Sequence, residues 1–197
     1  MLDKAAHISV HNFTADSGDC AGVITNIGSQ VTKFSIGDEV FGVASNSCSS
    51  QYAISNQDLL KIKPSNLTFA QASTLPSVFL TAWYSLKHLA NIRQGDSVLI
   101  HTASGGFGLA CIQIAKLYGA KIIATAGTAE KRNFLYNLGI EHVFNSRTDA
   151  CVAQVMQVTS DQGVDIVVNS LANNLAIKSL SVLKPAVGRY LDVCYFI

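Results

Sequence analysis

The chain has 197 residues, 49% of them hydrophobic, and a formal net charge of +1. That length suits one large domain, or one domain with an appendage. Near-zero charge leaves no electrostatic footprint for nucleic acid or an anionic membrane, no apolar run is long enough to span a bilayer, and no charged flank with an apolar core marks a signal peptide.

Met1 to Ser17 has weak periodicity and is assigned no element. From Cys20, "CAGVITNIGSQVTKFSIGDEVFGVA" carries short β-type runs separated by Gly, Asn and Asp, which predict antiparallel strands with tight turns. "SQYAISNQDLLKIKP" adds another short strand and ends at Pro64. Helical text follows: Ser65 or Asn66 is the expected cap of a first helix, Pro76 an interruption, and Thr81 to Leu89 a helix with Trp83, Leu86 and Leu89 on one face. Composition changes from β-rich to alternating β/α near residue 78. The expected domains are therefore 1–77 and 78–197.

The second part is organised around "DSVLIHTASGGFG", Asp96 to Gly108. Val98 to Ile100 read as a strand covered on both faces. A glycine-rich turn opens a helix with Leu109, Ile112, Ile114, Ala115 and Leu117 at helical spacing, and a second strand follows at Ile122 to Ala126. In such a βαβ unit the helix N-terminus favours anions, and glycines let the backbone approach a pyrophosphate. The dinucleotide fingerprint is met in a variant form, Ala103-x-Gly105-x-x-Gly108, and competes with a purely structural turn. Thr128 then predicts an N-cap and Gly139 a C-cap. Three further strands, at "HVFNSR", "VDIVVNS" and "GRYLDVCYF", alternate with helices at "ACVAQVMQVTSDQG" and "NLAIKSLSVLKP". The fold class is α/β, a doubly wound parallel sheet.

The five cysteines, Cys20, Cys48, Cys111, Cys151 and Cys194, are odd in number and show neither CxxC nor zinc-finger spacing, so reduced thiols in a cytoplasmic protein are expected. Two glycosylation sequons, at Asn12 and Asn66, lack a secretory context and read as coincidence. His7, His11, His88, His101 and His142 have no metal-ligand spacing and read as ordinary core or surface histidines. No metal site is expected.

The segments "GDEVFG", "LPSVFLTAWYSL", "GDSVLIHTASGGFGLACIQIAKLYGAKIIATAGTAEKRNFL", "FNSR" and "GVDIVVNSL" closely resemble the enoyl reductase domains of polyketide synthases and animal-type fatty acid synthases. These stand on the zinc-free side of the medium-chain dehydrogenase/reductase superfamily, near the quinone oxidoreductases. The resemblance runs from about Cys20 to Val193. It implies part of a GroES-like barrel on the substrate side and a Rossmann domain that binds NADPH. Asp19 stands where the family usually has Glu, and Cys194 where it has Gly. Met1 to Ser17 is too short for the barrel segment that precedes this stretch in the family, so a fragment is expected, with an open sheet edge.

Residue by residue, the turn offers Ser104, Gly105, Gly106, Phe107 and Gly108 to the pyrophosphate, with Ser104 equally suited to capping the helix and the Phe107 side chain expected to pack beneath it rather than to touch ligand. Gly127-Thr128 ends the second strand where NAD-binding folds carry an Asp or Glu; its absence removes repulsion of a 2′-phosphate. The resemblance assigns Lys131 either to that phosphate or to proton donation, with Asp149 as a second catalytic candidate. Ser146 and Arg147 are expected to form a further adenosine-phosphate contact, and main-chain groups of Asn169, Ser170 and Leu171, beyond a strand's carboxyl end, are expected to face the nicotinamide ribose. Thr81 either meets the cofactor or is a core threonine. The implied reaction is NADPH-dependent reduction of an enoyl thioester on an acyl carrier protein, beside neighbouring synthase domains. The alternatives are a free-standing quinone oxidoreductase and a non-catalytic nucleotide-binding remnant.

Overall fold

The structure, a computed structural model, describes residues 4–13, 18–44, 51–148, 150–171 and 174–193. The chain divides into two compact units, Met1–Leu80 and Thr81–Ile197.

In the first unit, β1 (Ala5–Phe13), β2 (Asp19–Ile27), β3 (Glu39–Val43), β4 (Tyr52–Asn56) and β5 (Leu60–Ile62) form an antiparallel sheet in the order β4-β1-β2-β3-β5. Ala6, Ile8, Cys20, Ile24, Val40, Ala53 and Leu60 are its buried core. β1 occupies the stretch without visible periodicity. Its register against β2 shifts between His7 and Ile8 and again between Val10 and Asn12. Each irregularity breaks the alternation of buried and exposed positions on which a strand is recognised.

The first helix, α1 (Phe69–Ala72), is capped by Thr68 rather than by Ser65 or Asn66. Thr68 alone has a glutamine three residues on, and Thr68 and Gln71 close a reciprocal capping box. Pro76 does not interrupt a helix but begins one, α2 (Pro76–Trp83). A proline at the first turn gives up only an N–H that has no partner there. Asp19, buried in β2, accepts from the Ser77 N–H at 3.1 Å and the Ser77 hydroxyl at 2.6 Å, a carboxylate at a helix start.

In the second unit, Tyr84–Leu89 is a π-helix. Its wider turn undoes the expected single face: Leu86 is fully buried, whereas Trp83 is 40% and Leu89 59% exposed. The strands β6 (Ser97–Ile100), β7 (Lys121–Ala126), β8 (His142–Asn145), β9 (Ile166–Asn169) and β10 (Arg189–Asp192) are all parallel, in the order β10-β9-β6-β7-β8. Helices α3 (Gly106–Leu117), α4 (Ala129–Asn137), α5 (Ala150–Val158) and α6 (Asn174–Leu180) connect them. This is the predicted doubly wound sheet. Val98, Leu99 and Ile100 of β6 and Ile166, Val167 and Val168 of β9 are buried without alternation, as strands covered on both faces must be. At the amino ends, Asp165 binds the Lys184 ammonium at 2.8 Å and the Ser97 N–H and hydroxyl at 2.8 Å each. Among the described residues no helix is long and apolar enough to cross a membrane.

Candidate functional site

The chain runs outward from β6 through β7 to β8, then returns so that β9 pairs with the other side of β6. The carboxyl ends of β6 and β9 are therefore the topological switch point, where loops diverge and leave a crevice. The glycine-rich turn leaves the sheet here, at the end of β6. Asn169, Ser170 and Leu171 leave it at the end of β9.

Gly105 occupies the cap position of α3, and no side chain caps it. Ser104, half-buried beside it, is therefore not the cap. The first helical N–H groups, those of Gly106, Phe107 and Gly108, have no carbonyl one turn back. With the dipole of a twelve-residue helix behind them, they form a helix end whose physics favours an anion. The glycines differ in what they provide. A Cβ on Gly108 would lie 2.6 Å from the Ala103 Cα and 2.7 Å from the Thr102 oxygen, so this glycine is required by helix–turn packing. A Cβ on Gly105 would meet only Thr102, its oxygen at 3.4 Å and its Cγ2 at 3.9 Å, both ordinary contacts, and the φ of −82° suits any residue. Nothing inside the protein requires a glycine at 105. What the missing side chain leaves open is the outer face of the turn. Phe107 is half-buried and Gly106 exposed.

One strand over, the ends of β7 and β8 gather the second cluster. Thr128 caps α4, accepting from the Lys131 N–H at 3.3 Å. Glu130, in the same first turn, is held below the usual carboxylate range by its own backbone N–H and by the Thr128 hydroxyl. These groups already use part of that helix end, so an anion here depends on cationic side chains. Lys131 is exposed, and Arg132 donates to the Ala126 oxygen at 3.3 Å. Arg147 lies against Gly127, where a Cβ would stand 2.9 Å from its Nε. Ser146 donates its N–H to the Ala126 oxygen at 3.4 Å. Gly127, Lys131, Ser146 and Arg147 are thus brought to one end of two adjacent strands.

Asn169 is buried and its side chain is engaged within the protein. Its amide nitrogen donates to the Leu171 oxygen and to Asp192, and its oxygen accepts from the Leu171 N–H at 3.1 Å. It shapes the turn after β9, leaving Ser170 and Leu171 at the crevice. Thr81 is half-buried in α2, on a different element. Asp149 lies outside the described residues.

Sequence reasoning passed over His101, taken there for an ordinary histidine. It follows β6, is 2% exposed, and sits between two hydroxyls. Its Nδ1 is 2.9 Å from Thr125 Oγ1 and its Nε2 2.7 Å from Ser179 Oγ. Burial depresses its pKa to about 4, so the ring is neutral at physiological pH. Burial also pushes the Cys111 thiol up to about 12 and the Cys151 thiol to about 11, which removes both as nucleophiles. No group of three His, Cys, Asp or Glu able to hold a metal ion occurs among the described residues. A cavity of about 660 Å³ opens at the opposite, amino end of the sheet, lined by Ser97, Lys121, His142 and Lys184 among others. Lys184 there is already paired with Asp165, and the cavity lies at the other end of the sheet from the start of α3.

The zinc-binding dehydrogenase family model matches residues 106–193. The crystal structure of CurK enoyl reductase superposes with a TM-score of 0.94 at 35% identity, covering 99% of this chain and 67% of that one. The chain belongs to the enoyl reductases of the medium-chain dehydrogenase/reductase superfamily. The phthioceranic/hydroxyphthioceranic acid synthase of Mycobacterium tuberculosis contains a stretch 41% identical over 175 residues, 89% of this chain. This enoyl reductase chain spans 8% of the length of that synthase. Escherichia coli quinone oxidoreductase, in a structure complexed with NADPH, is 26% identical with a TM-score of 0.83, over 92% of this chain and 62% of its own. The enoyl reductase fold thus joins a GroES-like unit to a Rossmann unit, as the resemblance implied.

Proposed function

We propose that this chain carries out the NADPH-dependent reduction of 2-enoyl thioesters held on an acyl carrier protein, within a polyketide or fatty acid synthase. The expected domain 1–77, which holds the antiparallel sheet, takes the substrate side, and 78–197, which holds the parallel sheet, the cofactor. The observation that carries the reading is the uncapped start of α3, with Gly105 bare on its outer face, at the switch point of an enoyl reductase sheet. NADPH, when bound, supplies a hydride to the β-carbon of the enoyl group.

The chain's own residues then have three tasks. Around the bare backbone of Gly105, the main-chain N–H groups of Ser104, Gly106, Phe107 and Gly108 receive the pyrophosphate. Lys131, Ser146 and Arg147 receive the 2′-phosphate beside Gly127, where no carboxylate repels it. Ser170 and Leu171 face the nicotinamide end, with Asn169 fixing their turn and Thr81 as a further contact. The developing charge on the thioester oxygen needs a donor, and the α-carbon needs a proton. The resemblance offers Lys131 and Asp149. The company of Arg132 and Arg147, one strand removed from the switch point, supports the phosphate role for Lys131.

The test is kcat/KM of the full-length protein with NADPH for a carrier-bound crotonyl thioester against a quinone. A clear preference for the thioester is expected. Preference for quinone would transfer the chain to the quinone oxidoreductases it also resembles.

A further inference from the structure

Thr102, between β6 and the glycine-rich turn, has a φ of +50°. For a β-branched residue that is a strained backbone, and its side chain is exposed, so no packing of its own offsets the strain. Such a conformation persists only where its neighbours over-determine it.

They do so from three directions. On one side of Thr102, the His101 N–H donates to the Val168 oxygen of β9 at 3.0 Å. On the other, the Ala103 N–H donates to the Thr125 oxygen of β7 at 3.0 Å. Thr125 also holds the His101 ring through its hydroxyl, so a single β7 residue grips the residues before and after the strained one. Ser179, on α6, fixes the far nitrogen of the ring. Thr125 is fully buried and Ser179 nearly so. Two hydroxyls, each able to donate or accept, satisfy a neutral imidazole in either tautomer. Beyond the strain, the Thr102 oxygen accepts from the Gly105 N–H at 3.0 Å, and so sets where the following N–H groups point. The Ser170 hydroxyl, from the turn after β9, approaches the His101 oxygen at 3.4 Å.

We infer that His101 is a positioning residue for the cofactor: through Thr125 and Ser179 it holds Thr102 in its strained shape, and that shape presents the N–H groups at the start of α3 to the pyrophosphate. The inference rests on the proposed reading of that turn. His101 touches no cofactor atom. It acts on affinity by keeping the turn formed before the ligand arrives.

The strain supplies the test. Glycine adopts positive φ without penalty, so Thr102→Gly should make the pin dispensable. Dissociation constants for NADPH are measured by fluorescence titration of the full-length protein, its Thr102→Gly variant, and His101→Leu in each background. His101→Leu is expected to weaken binding about tenfold when Thr102 is present and only about twofold in the Thr102→Gly background. Equal losses in the two backgrounds, or no loss in either, would overturn the inference, since a merely structural histidine has no reason to couple to the φ of residue 102. If His101→Leu yields no folded protein, Thr125→Val, which removes one hydroxyl, is measured in the same pair of backgrounds and judged by the same inequality. Amide hydrogen exchange without cofactor gives an independent readout. Ala103 and Gly105 should lose protection when His101 is replaced in the Thr102 background; unchanged protection there also sinks the pin. Should the parent protein fail to bind NADPH at all, the proposed function falls, and the exchange measurement alone decides the role of His101.

Discussion

Arg147 and Lys131 show what a single residue can and cannot reveal from its place in the text. Lys131 is legible: it follows a strand end that lacks a carboxylate, in the first turn of the next helix. That Arg147 lies across Gly127 is not, because only the pairing of β7 with β8 brings residues twenty apart together. A charge-assisted contact with an exposed phosphate contributes on the order of 1.5–3 kcal/mol, or roughly ten- to hundredfold in affinity. Lys131→Ala and Arg147→Ala should each weaken NADPH by that order in fluorescence titrations at fixed low salt, and leave NADH nearly unchanged. Equal losses for both cofactors would remove the residue from the 2′-phosphate site. Loss of turnover at unchanged binding would return Lys131 to proton donation.

At the scale of elements, the β6–turn–α3 unit was readable because its strand, glycines and helix succeed one another without interruption. The glycines, however, look alike in the sequence and have different duties. A side chain at 108 would press into the backbone of Ala103, so even Gly108→Ala displaces the helix from the turn, and a larger residue there would not leave the fold intact. That overpacking should destabilise the protein by about 1–3 kcal/mol. Gly105→Ala meets no such obstacle and should leave the thermal melt close to the parent while weakening NADPH binding. Melting curves and titrations of the two variants side by side decide the matter; a destabilised Gly105→Ala, or one that binds normally, would mean that the turn's outer face is not a ligand surface. What periodicity could not show were the π-helix at Tyr84–Leu89 and the bulged β1. Both insert residues into a regular repeat, and a repeat is all that a sequence pattern records.

At the scale of the molecule, His101 and Asp165 are two buried or half-buried described groups whose titration contributes to the response to acid. His101 is buried neutral with its pKa lowered from 6.5 to about 4. Between those values the unfolded chain binds a proton that the native one refuses. Stability is therefore full above about pH 6.5 and falls as the pH approaches 4, by up to about 3 kcal/mol. For Asp165, burial alone would raise the pKa, but the Lys184 ammonium and the Ser97 N–H and hydroxyl outweigh it and hold the carboxyl below its usual range. Its contribution is present above the unfolded value and is lost only on further acidification. The melting temperature should thus decline between pH 6.5 and 4.5, and in His101→Gln that decline should flatten while any loss below pH 4 remains. An unchanged slope in the variant would assign the acid sensitivity to other groups.

The order of the sheet has a consequence for how the unit comes to be folded. His101 meets Thr125 across 24 residues of chain, whereas Ser97 meets Asp165 across 68. By the logarithmic growth of closure entropy, the second encounter costs about 1 kcal/mol more than the first before any contact rewards it. On this ground β6 is expected to gain its neighbour β7 before β9, with its other apolar edge unpaired in the meantime. The crevice at the switch point and this expected delay in covering β6 arise from the same turn-back in the path of the chain.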